Sequence, residues 1–344
     1  MSRLREDRKA YYKSRIDEAK RPGEVWRITD EIISPRGGGK MVLDMDGSKV
    51  EDDREIAEAM NNFFIQKIAD LREGIDQSMT EDPLKRLKET IKPNRPTFSF
   101  KTVSEARVLK IIRKLSNKNS FGTDGISSKV LKSAADVLAA PITFIVNTSL
   151  TSGIYPTRWK TAKVIPILKK GDPTKMANYR PVALLPVTSK ILEEVVRGQV
   201  SDHFEKNGLL PVSQHGFRPS RSTTTALLSL EKTLIEAQEN GKSSAMLLFD
   251  LSAAFDTLDH QIFLEKLKIY GVDDLGQRWF QSYLEDREQF VEIGQMRSST
   301  KCVPWGSPQG AVCSPLIFTI FKIFRENAVL QQQKLNSPLI KSKI

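Results

Sequence analysis

Cysteine, histidine and long apolar runs are all scarce in this chain of 344 residues. The two cysteines, Cys302 and Cys313, flank a segment rich in glycine and proline. Two cysteines exclude a disulfide framework and favour a reducing, intracellular compartment, either nucleus or cytoplasm. The three histidines are scattered and lack the spacing of a zinc site. No apolar run reaches the roughly 18 residues that a membrane-spanning helix needs, and the charged residues 1–20 are not expected to form a signal peptide or an anchor.

Positive charge is plentiful instead. Lysine and arginine number 53 against 42 aspartates and glutamates, which gives a net charge of +11. Such a balance favours a polyanionic partner, with nucleic acid first and an anionic membrane surface second. A merely soluble basic protein is the alternative. The hydrophobic fraction of 39% is enough to bury a core.

The first part of the chain, residues 1–95, is expected to be mainly helical. Helical patterns cover residues 2–20, a short stripe at residues 25–32 and the segment from Ile56 to Ile68. A short hairpin is expected between the last two, with Asp46 and Gly47 at its turn. A polar segment punctuated by proline places a boundary near residue 95.

Helices and short strands follow without a regular beta-alpha alternation, which favours an α+β fold. Thr102 and Glu105 have the spacing of a capping box at a helix start, and a longer helix is expected at 127–152. Two strands are expected around a basic loop near residues 160–187. The apolar run Met246–Phe249 is typical of a buried central strand, and the run after Pro315 is typical of a buried helix or strand.

Asp250 stands at the end of that predicted central strand. A carboxylate there costs free energy unless it is solvated, paired or bound to a metal. Mg²⁺ prefers one or two carboxylates together with waters and phosphates, so a metal ligand is one interpretation. A helix cap or a salt bridge is the other. Asp256 and Asp259 follow closely and could cap the next helix.

Two further features suggest contacts with nucleic acid. The segment "WGSPQGAVCSPLIFTIF" forms a rigid turn, in which Gln309 could contact a base or a sugar. A structural turn into a core element is the alternative. Basic residues on open loops could contact phosphates, although a solvated surface is equally compatible with them: Lys160, Lys163, Lys169, Lys170, Lys175, Arg180, Arg218 and Arg221.

Six motifs occur in a fixed order and together resemble one family. They are "LSNKNSFGTDGISSKVLK", "WKTAKVIPILKKGDPTKMANYRPVALLPVTSKILEEVV", "QHGFRPSRSTTTALL", "FDLSAAFDTLDH", "YGVDDLGQRWFQSYLEDREQFVEI" and "GSPQGAVCSPLIFTIF". From about residue 108 to 321 the chain resembles the reverse transcriptases of non-LTR retrotransposons. The resemblance implies a right-hand polymerase with fingers and a partial palm over residues 96–321. It also implies a helical connector over residues 1–95 and leaves residues 322–344 as an unrelated tail.

The resemblance also implies roles for individual residues. Asp250 matches the catalytic, metal-binding aspartate of the palm, and Phe255 matches the steric gate against a ribose 2′-hydroxyl. Four residues match the nucleotide-binding positions of the fingers and of the Pro-Gln-Gly loop: Lys170, Arg180, Gln309 and Gly310. Lys169 is an alternative to Lys170 at the first of these positions. Contacts with nucleic acid are expected from Lys160, Lys163, Arg218 and Arg221. The implied partners are an RNA template, a DNA primer, a deoxynucleoside triphosphate and Mg²⁺, and no membrane.

Nucleotidyl transfer with two metal ions also needs carboxylate ligands from a second segment of the chain. In the family they come from an aromatic-Ala-Asp-Asp hairpin, and nothing after Phe321 resembles it. Asp273 and Asp274 in "YGVDDL" lie too early and are expected to start a helix. We therefore expect a truncated, inactive copy with exposed apolar surface around residues 316–324. The alternative is a nucleic-acid-binding protein without catalysis that uses the basic surface.

Overall fold

The structure is a computed structural model that describes residues 2–19, 24, 41–45, 47–78, 84–90, 96–246, 248–251, 253–322 and 340–342. Internal contacts divide the chain into Met1–Glu51 and Asp52–Ile344. The smaller unit contains helix α1 (Ser2–Asp17) and the antiparallel strands β1 (Leu43–Met45) and β2 (Ser48–Val50). The predicted hairpin is confirmed, with Gly47 at φ +85° in its turn. The helix predicted around residues 25–32 lies outside the described residues.

The larger unit mixes helices and strands, which confirms the α+β class. Its helices are α2 (Asp53–Ser78), α3 (Lys85–Thr90), α4 (Glu105–Lys114), α5 (Ser128–Ser133), α6 (Ala135–Ser152), α7 (Val187–Lys206), α8 (Thr223–Glu239), α9 (His260–Ile269), α10 (Asp274–Leu284) and α11 (Ser314–Lys322). Its strands are β3 (Thr161–Leu168), β4 (Tyr179–Leu184), β5 (Phe249–Leu251), β6 (Glu288–Ile293), β7 (Met296–Arg297), β8 (Lys301–Cys302) and β9 (Ile340–Ser342). Within the described ranges, no helix combines the length and the apolarity needed to cross a bilayer.

A five-stranded sheet organises this unit. The strand order is β4-β3-β6-β7, with β8 also paired to β6. Strands β3 and β4 form the predicted antiparallel pair, in which Ile165 faces Val182. Strand β6 lies parallel to β3, so a segment more than 100 residues further along the chain completes the centre of the sheet.

The main core lies among the helices and is rich in aromatic rings. Helix α10 buries one face of its helical repeat, and Trp279 and Tyr283 are fully buried there. The two rings stack with centroids 5.4 Å apart. The Trp279 indole donates to the Ser149 hydroxyl at 2.9 Å, so its polar atom is satisfied inside the core.

Helix α2 packs against β6 and β7 and so belongs to the larger unit. Its Arg72 forms an ion pair of 2.8 Å with Asp259 and lies 4.4 Å from the centroid of the Trp305 ring. The buried Asn61 donates to the Ser298 hydroxyl at 3.1 Å. The contact division therefore falls at Glu51, whereas the sequence suggested residue 95. The functional division into connector and polymerase stays a prediction.

Two predicted helix boundaries were wrong. Helix α4 is capped by Ser104, whose side chain accepts from the Arg107 amide, so Thr102 is not the cap. The Asn147 side chain bonds both the N–H and the C=O of Val103, which holds the preceding residues extended. The helix predicted at 127–152 is two helices, because Ala134 departs from helical geometry at φ −105° and ψ 18°.

Two expectations about burial were also wrong. Met246 and Leu248 are 52% and 64% exposed. They precede β5, which pairs with β9 and is not part of the five-stranded sheet. Conversely, Leu316, Ile317 and Ile320 are buried, because α11 packs against α9. The described part of residues 316–324 therefore does not form the exposed apolar surface that the sequence suggested.

The paired aspartates of "YGVDDL" are confirmed as a helix start. Asp273 is the N-cap of α10, and its carboxylate accepts from the Gly276 amide at 2.7 Å. Replacing Asp273 with alanine should lower the free energy of unfolding by about 1 kcal/mol, since the cap is lost. The same change at Asp274 makes a matched control and should cost less than about 0.5 kcal/mol. Urea denaturation measures both. Equal losses for the two variants would contradict the capping assignment.

Candidate functional site

A tight turn follows β5, the strand that carries Asp250. The backbone of Asp250 is placed in that strand, and the position of its side chain is not described. Ala253 adopts φ +51°, and its carbonyl accepts from the amides of Asp256 and Thr257 at 2.9 and 3.0 Å. A residue other than glycine in the left-handed region is strained, and such strain often marks a functional turn.

The Pro-Gln-Gly loop, residues 304–310, is bonded directly onto this turn. The Ser307 amide donates to the Phe255 carbonyl at 2.8 Å, and the Gly306 amide donates to the Leu258 carbonyl at 2.9 Å. Gly306 is required at this contact, because a Cβ there would lie 2.5 Å from the Asp256 carbonyl oxygen. The His260 ring adds a hydrogen bond to the Gly306 carbonyl at 2.7 Å. Two motifs that are about 50 residues apart therefore form one surface.

Gln309 makes the side-chain link between the two motifs. Its Nε2 group donates to both carboxylate oxygens of Asp256, at 2.9 and 2.7 Å. Burial raises the pKa of Asp256 to about 6, although the Gln309 hydrogen bonds and the charge of Lys67 oppose that shift. A cleft of about 160 Å³ lies beside this pair and is walled mainly by apolar side chains of α2, β3 and β4.

A second carboxylate, Glu193 of α7, binds the residues between the loop and α11 and so fixes the far end of the loop. It is fully buried and accepts from the Val312 amide at 2.6 Å and from the Cys313 amide at 3.1 Å. The hydroxyls of Tyr155 and Tyr283 also donate to it, each at 3.4 Å. Burial raises the pKa of Glu193, and the two backbone hydrogen bonds partly offset that shift. Sequence reasoning missed Glu193, because no local pattern distinguishes it from other glutamates on a helix.

Phe255 and Gly310 lie on either side of the contact between Asp256 and Gln309 in the sequence, each next to one of these two residues. The Phe255 ring lies 4.9 Å from the Phe318 ring and 6.1 Å from the Phe217 ring, measured between centroids. Gly310 is exposed at φ +90°, and a Cβ there would lie 3.3 Å from the Ala183 carbonyl oxygen. The loop therefore runs past the end of β4, next to the hairpin that β4 forms with β3.

That hairpin presents a basic surface to solvent. Strands β3 and β4 form six pairs, and Ile167 faces Arg180 near the tip. We call the four exposed cations of this hairpin the hairpin cations: Lys169, Lys170, Lys175 and Arg180. None of them forms an ion pair with any residue in the described part of the chain. Exposed cations without ion pairs can bind phosphate without first breaking an internal contact.

The predicted nucleic-acid contacts Lys160 and Lys163 face inward instead. Each is only 7% exposed. Lys163 forms an ion pair of 3.0 Å with Glu292 of β6 and lies 4.5 Å from the centroid of the Phe121 ring. Burial lowers the pKa of Lys160. Both lysines are buried as residues, and Lys163 is engaged by Glu292, which does not favour phosphate contacts; such contacts stay a prediction.

Arg218 is also committed to an internal contact. It pairs with Glu205 of α7 at 2.7 Å and donates to the carbonyls of Pro211 and Gln214. Arg221 donates to the Val212 carbonyl at 2.6 Å. These bonds fold the basic turn before α8. A contact of either arginine with nucleic acid stays a prediction.

Metal binding has one candidate ligand, Asp250, whose side chain is not described. Within the described ranges, no group of three or more His, Cys, Asp or Glu side chains is placed to hold a metal ion. Asp256 is already engaged by Gln309. The described side chains therefore do not form a metal site by themselves.

Comparison with known proteins shows which proteins these motifs are similar to. Residues 167–332 match the family model described as reverse transcriptase (RNA-dependent DNA polymerase). The matched range includes the hairpin tip, the turn after β5 and the Pro-Gln-Gly loop. The chain contains a reverse-transcriptase-like domain of the non-LTR retrotransposon type.

Relatives of this reverse-transcriptase-like domain come from mobile elements of Drosophila melanogaster. The probable RNA-directed DNA polymerase from transposon BS is 28% identical over 67% of this chain and 25% of that protein. The RNA-directed DNA polymerase from mobile element jockey is 26% identical over 86% of this chain and 32% of that protein. The probable RNA-directed DNA polymerase from transposon X-element is 26% identical over 88% of this chain and 33% of that protein. The chain thus spans about a quarter to a third of the length of these relatives.

Proposed function

We propose that this chain forms the fingers and the first part of the palm of an enzyme that copies an RNA template into DNA. In this proposal the template is RNA, the primer is DNA and the incoming substrate is a deoxynucleoside triphosphate. The relatives are named RNA-directed DNA polymerases, which supports the reaction class. The basic composition supports a polyanionic partner.

One observation carries the proposal. The Pro-Gln-Gly loop is hydrogen-bonded onto the turn that follows Asp250, through the Gln309–Asp256 contact and the Ser307–Phe255 contact. A purely structural turn into α11 would not need to be tied to the end of β5. The bonds instead gather three predicted nucleotide-site residues, Phe255, Gln309 and Gly310, beside the strand that carries Asp250.

Each group then has a definite role in the proposal. The hairpin cations hold the triphosphate and the nucleic-acid backbone. Phe255 limits the space beside the sugar, and Gln309 contacts the nucleotide through its amide. Asp250 is the ligand that this chain would offer to Mg²⁺, which when bound would neutralise phosphate charge during nucleotidyl transfer.

The test is Mg²⁺-dependent binding of a nucleotide to the chain in complex with a duplex of RNA template and DNA primer. A labelled deoxynucleotide complementary to the template should bind more tightly than a mismatched one. Replacing Asp250 with asparagine should weaken binding in Mg²⁺ by about tenfold, since a charged ligand is lost. The same change at Asp286, an exposed turn residue, is the matched control and should have no effect. Equal affinities for the complementary and the mismatched deoxynucleotide would contradict the proposal.

A further inference from the structure

Asp256 is a half-buried carboxylate that the proposed chemistry does not use. It lies six residues after Asp250, and its own backbone is fixed on both sides. Its amide donates to the Ala253 carbonyl at 2.9 Å, and Gly306 packs directly against its carbonyl group. The backbone of Asp256 is therefore fixed, and its carboxylate is bonded to the Gln309 side chain.

The geometry of the contact fixes the direction of the Gln309 amide. An ionised carboxylate only accepts hydrogen bonds, so it selects the NH₂ end of a glutamine side chain. Both oxygens of Asp256 accept from Nε2, at 2.9 and 2.7 Å. Among the described residues, no group donates to Oε1 of Gln309, which is half-buried. The oxygen of the amide is thus the atom that remains for a ligand.

This arrangement costs stability. Burial raises the pKa of Asp256 to about 6, so its ionised form is disfavoured in the folded protein. Among the described residues, the charged or polar side chains that act on it are Lys67 from α2 and Gln309 from the loop. An asparagine would fill the same space without a charge. The ionised carboxylate differs from that asparagine because it accepts hydrogen bonds through both oxygens and donates none, so it imposes one orientation on the Gln309 amide.

We propose that Asp256 is a positioning residue that turns the amide oxygen of Gln309 toward the bound nucleotide. The inference rests on the proposed function, in which Gln309 contacts that nucleotide. The amide then acts as a hydrogen-bond acceptor, so it recognises a donor on the ligand, either a sugar hydroxyl or a base N–H group. Asp256 touches neither the nucleotide nor the reacting atoms.

The first test separates positioning from a structural role. Replacing Asp256 with asparagine lets the amide of Gln309 take either orientation, because asparagine both donates and accepts. We expect affinity for the complementary deoxynucleotide, measured at pH 7.5 on the chain–duplex complex, to fall about fivefold, since a charge-assisted bond becomes a neutral one. Thermal stability at the same pH should be unchanged or higher. Asp286→Asn removes an exposed carboxylate and is the matched control.

A double-mutant cycle supplies the stricter test. If Asp256 acts through Gln309, then Asp256→Asn should have no further effect on nucleotide affinity in a Gln309→Leu background. In the wild type, the side-chain NH₂ signal of Gln309, assigned by its loss in Gln309→Leu, should titrate with a midpoint near the Asp256 pKa of about 6. It should not titrate in the Asp256→Asn variant.

The outcomes distinguish the inference from the proposed function. Three results would overturn the positioning role and leave the proposed function intact. The first is that the affinity losses of the two single variants add in the double variant. The others are a Gln309 NH₂ signal that does not change with pH, and a loss of stability that parallels the loss of nucleotide affinity. If the wild-type complex binds no nucleotide, both fail together. A 2′,3′-dideoxynucleotide then shows which ligand group donates to Gln309. If the donor is the sugar hydroxyl, Asp256→Asn should no longer weaken the binding of the dideoxynucleotide; if the donor is a base N–H group, it still should. Either result supports the positioning role.

Discussion

Replacing Glu193 with alanine is expected to lower the free energy of unfolding by about 4 kcal/mol, the largest stability effect that we predict. The carboxylate accepts hydrogen bonds from the Val312 and Cys313 amides and from the hydroxyls of Tyr155 and Tyr283. All of these donors would lose their acceptor inside the protein, where water cannot replace it.

Arg287 adds to this cost. It is only 5% exposed, and its Nη2 atom has no hydrogen-bond partner among the described residues. Its positive charge acts to lower the pKa of Glu193, so the two charges lie close enough to interact. Removing the carboxylate would leave this buried guanidinium without its negative neighbour.

Chemical denaturation of two further variants controls for this effect. Glu193→Gln keeps one acceptor oxygen and should cost less than the alanine variant. Glu194→Ala removes the adjacent glutamate, which pairs with Arg197 on a partly exposed surface, and should cost less than about 1 kcal/mol. If Glu193→Ala were as mild as Glu194→Ala, Glu193 would not be the anchor of the Pro-Gln-Gly loop.

The largest predicted effect on binding comes from the hairpin cations. Replacing all four with alanine should weaken binding to the RNA–DNA duplex by about a hundredfold or more and reduce the slope of log affinity against log salt by about 3, since each phosphate contact contributes 0.7–0.9. The hairpin should stay folded, because its strand pairing and the buried Tyr179 do not depend on these side chains. Fluorescence anisotropy over a salt series measures both quantities.

A matched variant removes the same amount of charge elsewhere. Four exposed lysines outside the hairpin serve this purpose: Lys206, Lys232, Lys242 and Lys268. Their joint replacement by alanine should change affinity by less than about tenfold, through net charge alone. Equal losses in the two quadruple variants would mean that the duplex responds to overall charge and not to the hairpin.

Local sequence patterns predicted the helices and strands that are specified by residues close together in the sequence. The β3–β4 hairpin follows from two apolar runs around a polar loop. The helix start at Asp273 was expected from the family resemblance, and it agrees with the preference of aspartate for the N-cap position. The apolar run after Pro315 predicted a buried helix or strand, and it is a helix; the exposed surface that the missing hairpin suggested there is not formed. In each case the residues that specify the element lie within it or beside it.

Contacts between distant segments could not be predicted in this way. Lys163 belongs to a cluster of basic residues in the sequence, yet its partner Glu292 lies 129 positions away on β6. Asp256 and Gln309 are 53 positions apart. Met246 and Leu248 have the composition of a central strand, and only the sheet order shows that β5 lies outside the main sheet. Long-range pairing decides burial, and one sequence does not reveal such pairing.

Discrimination between deoxyribose and ribose is the property that the proposed nucleotide site must show. The measurement compares the affinities of the complementary dATP and ATP for the complex of the chain with an RNA template and a DNA primer. In our proposal the Phe255 ring restricts the space beside the sugar, so we expect dATP to bind about tenfold more tightly and Phe255→Ala to remove the difference. Equal affinities in the wild-type chain, or a preference that survives Phe255→Ala, would contradict it.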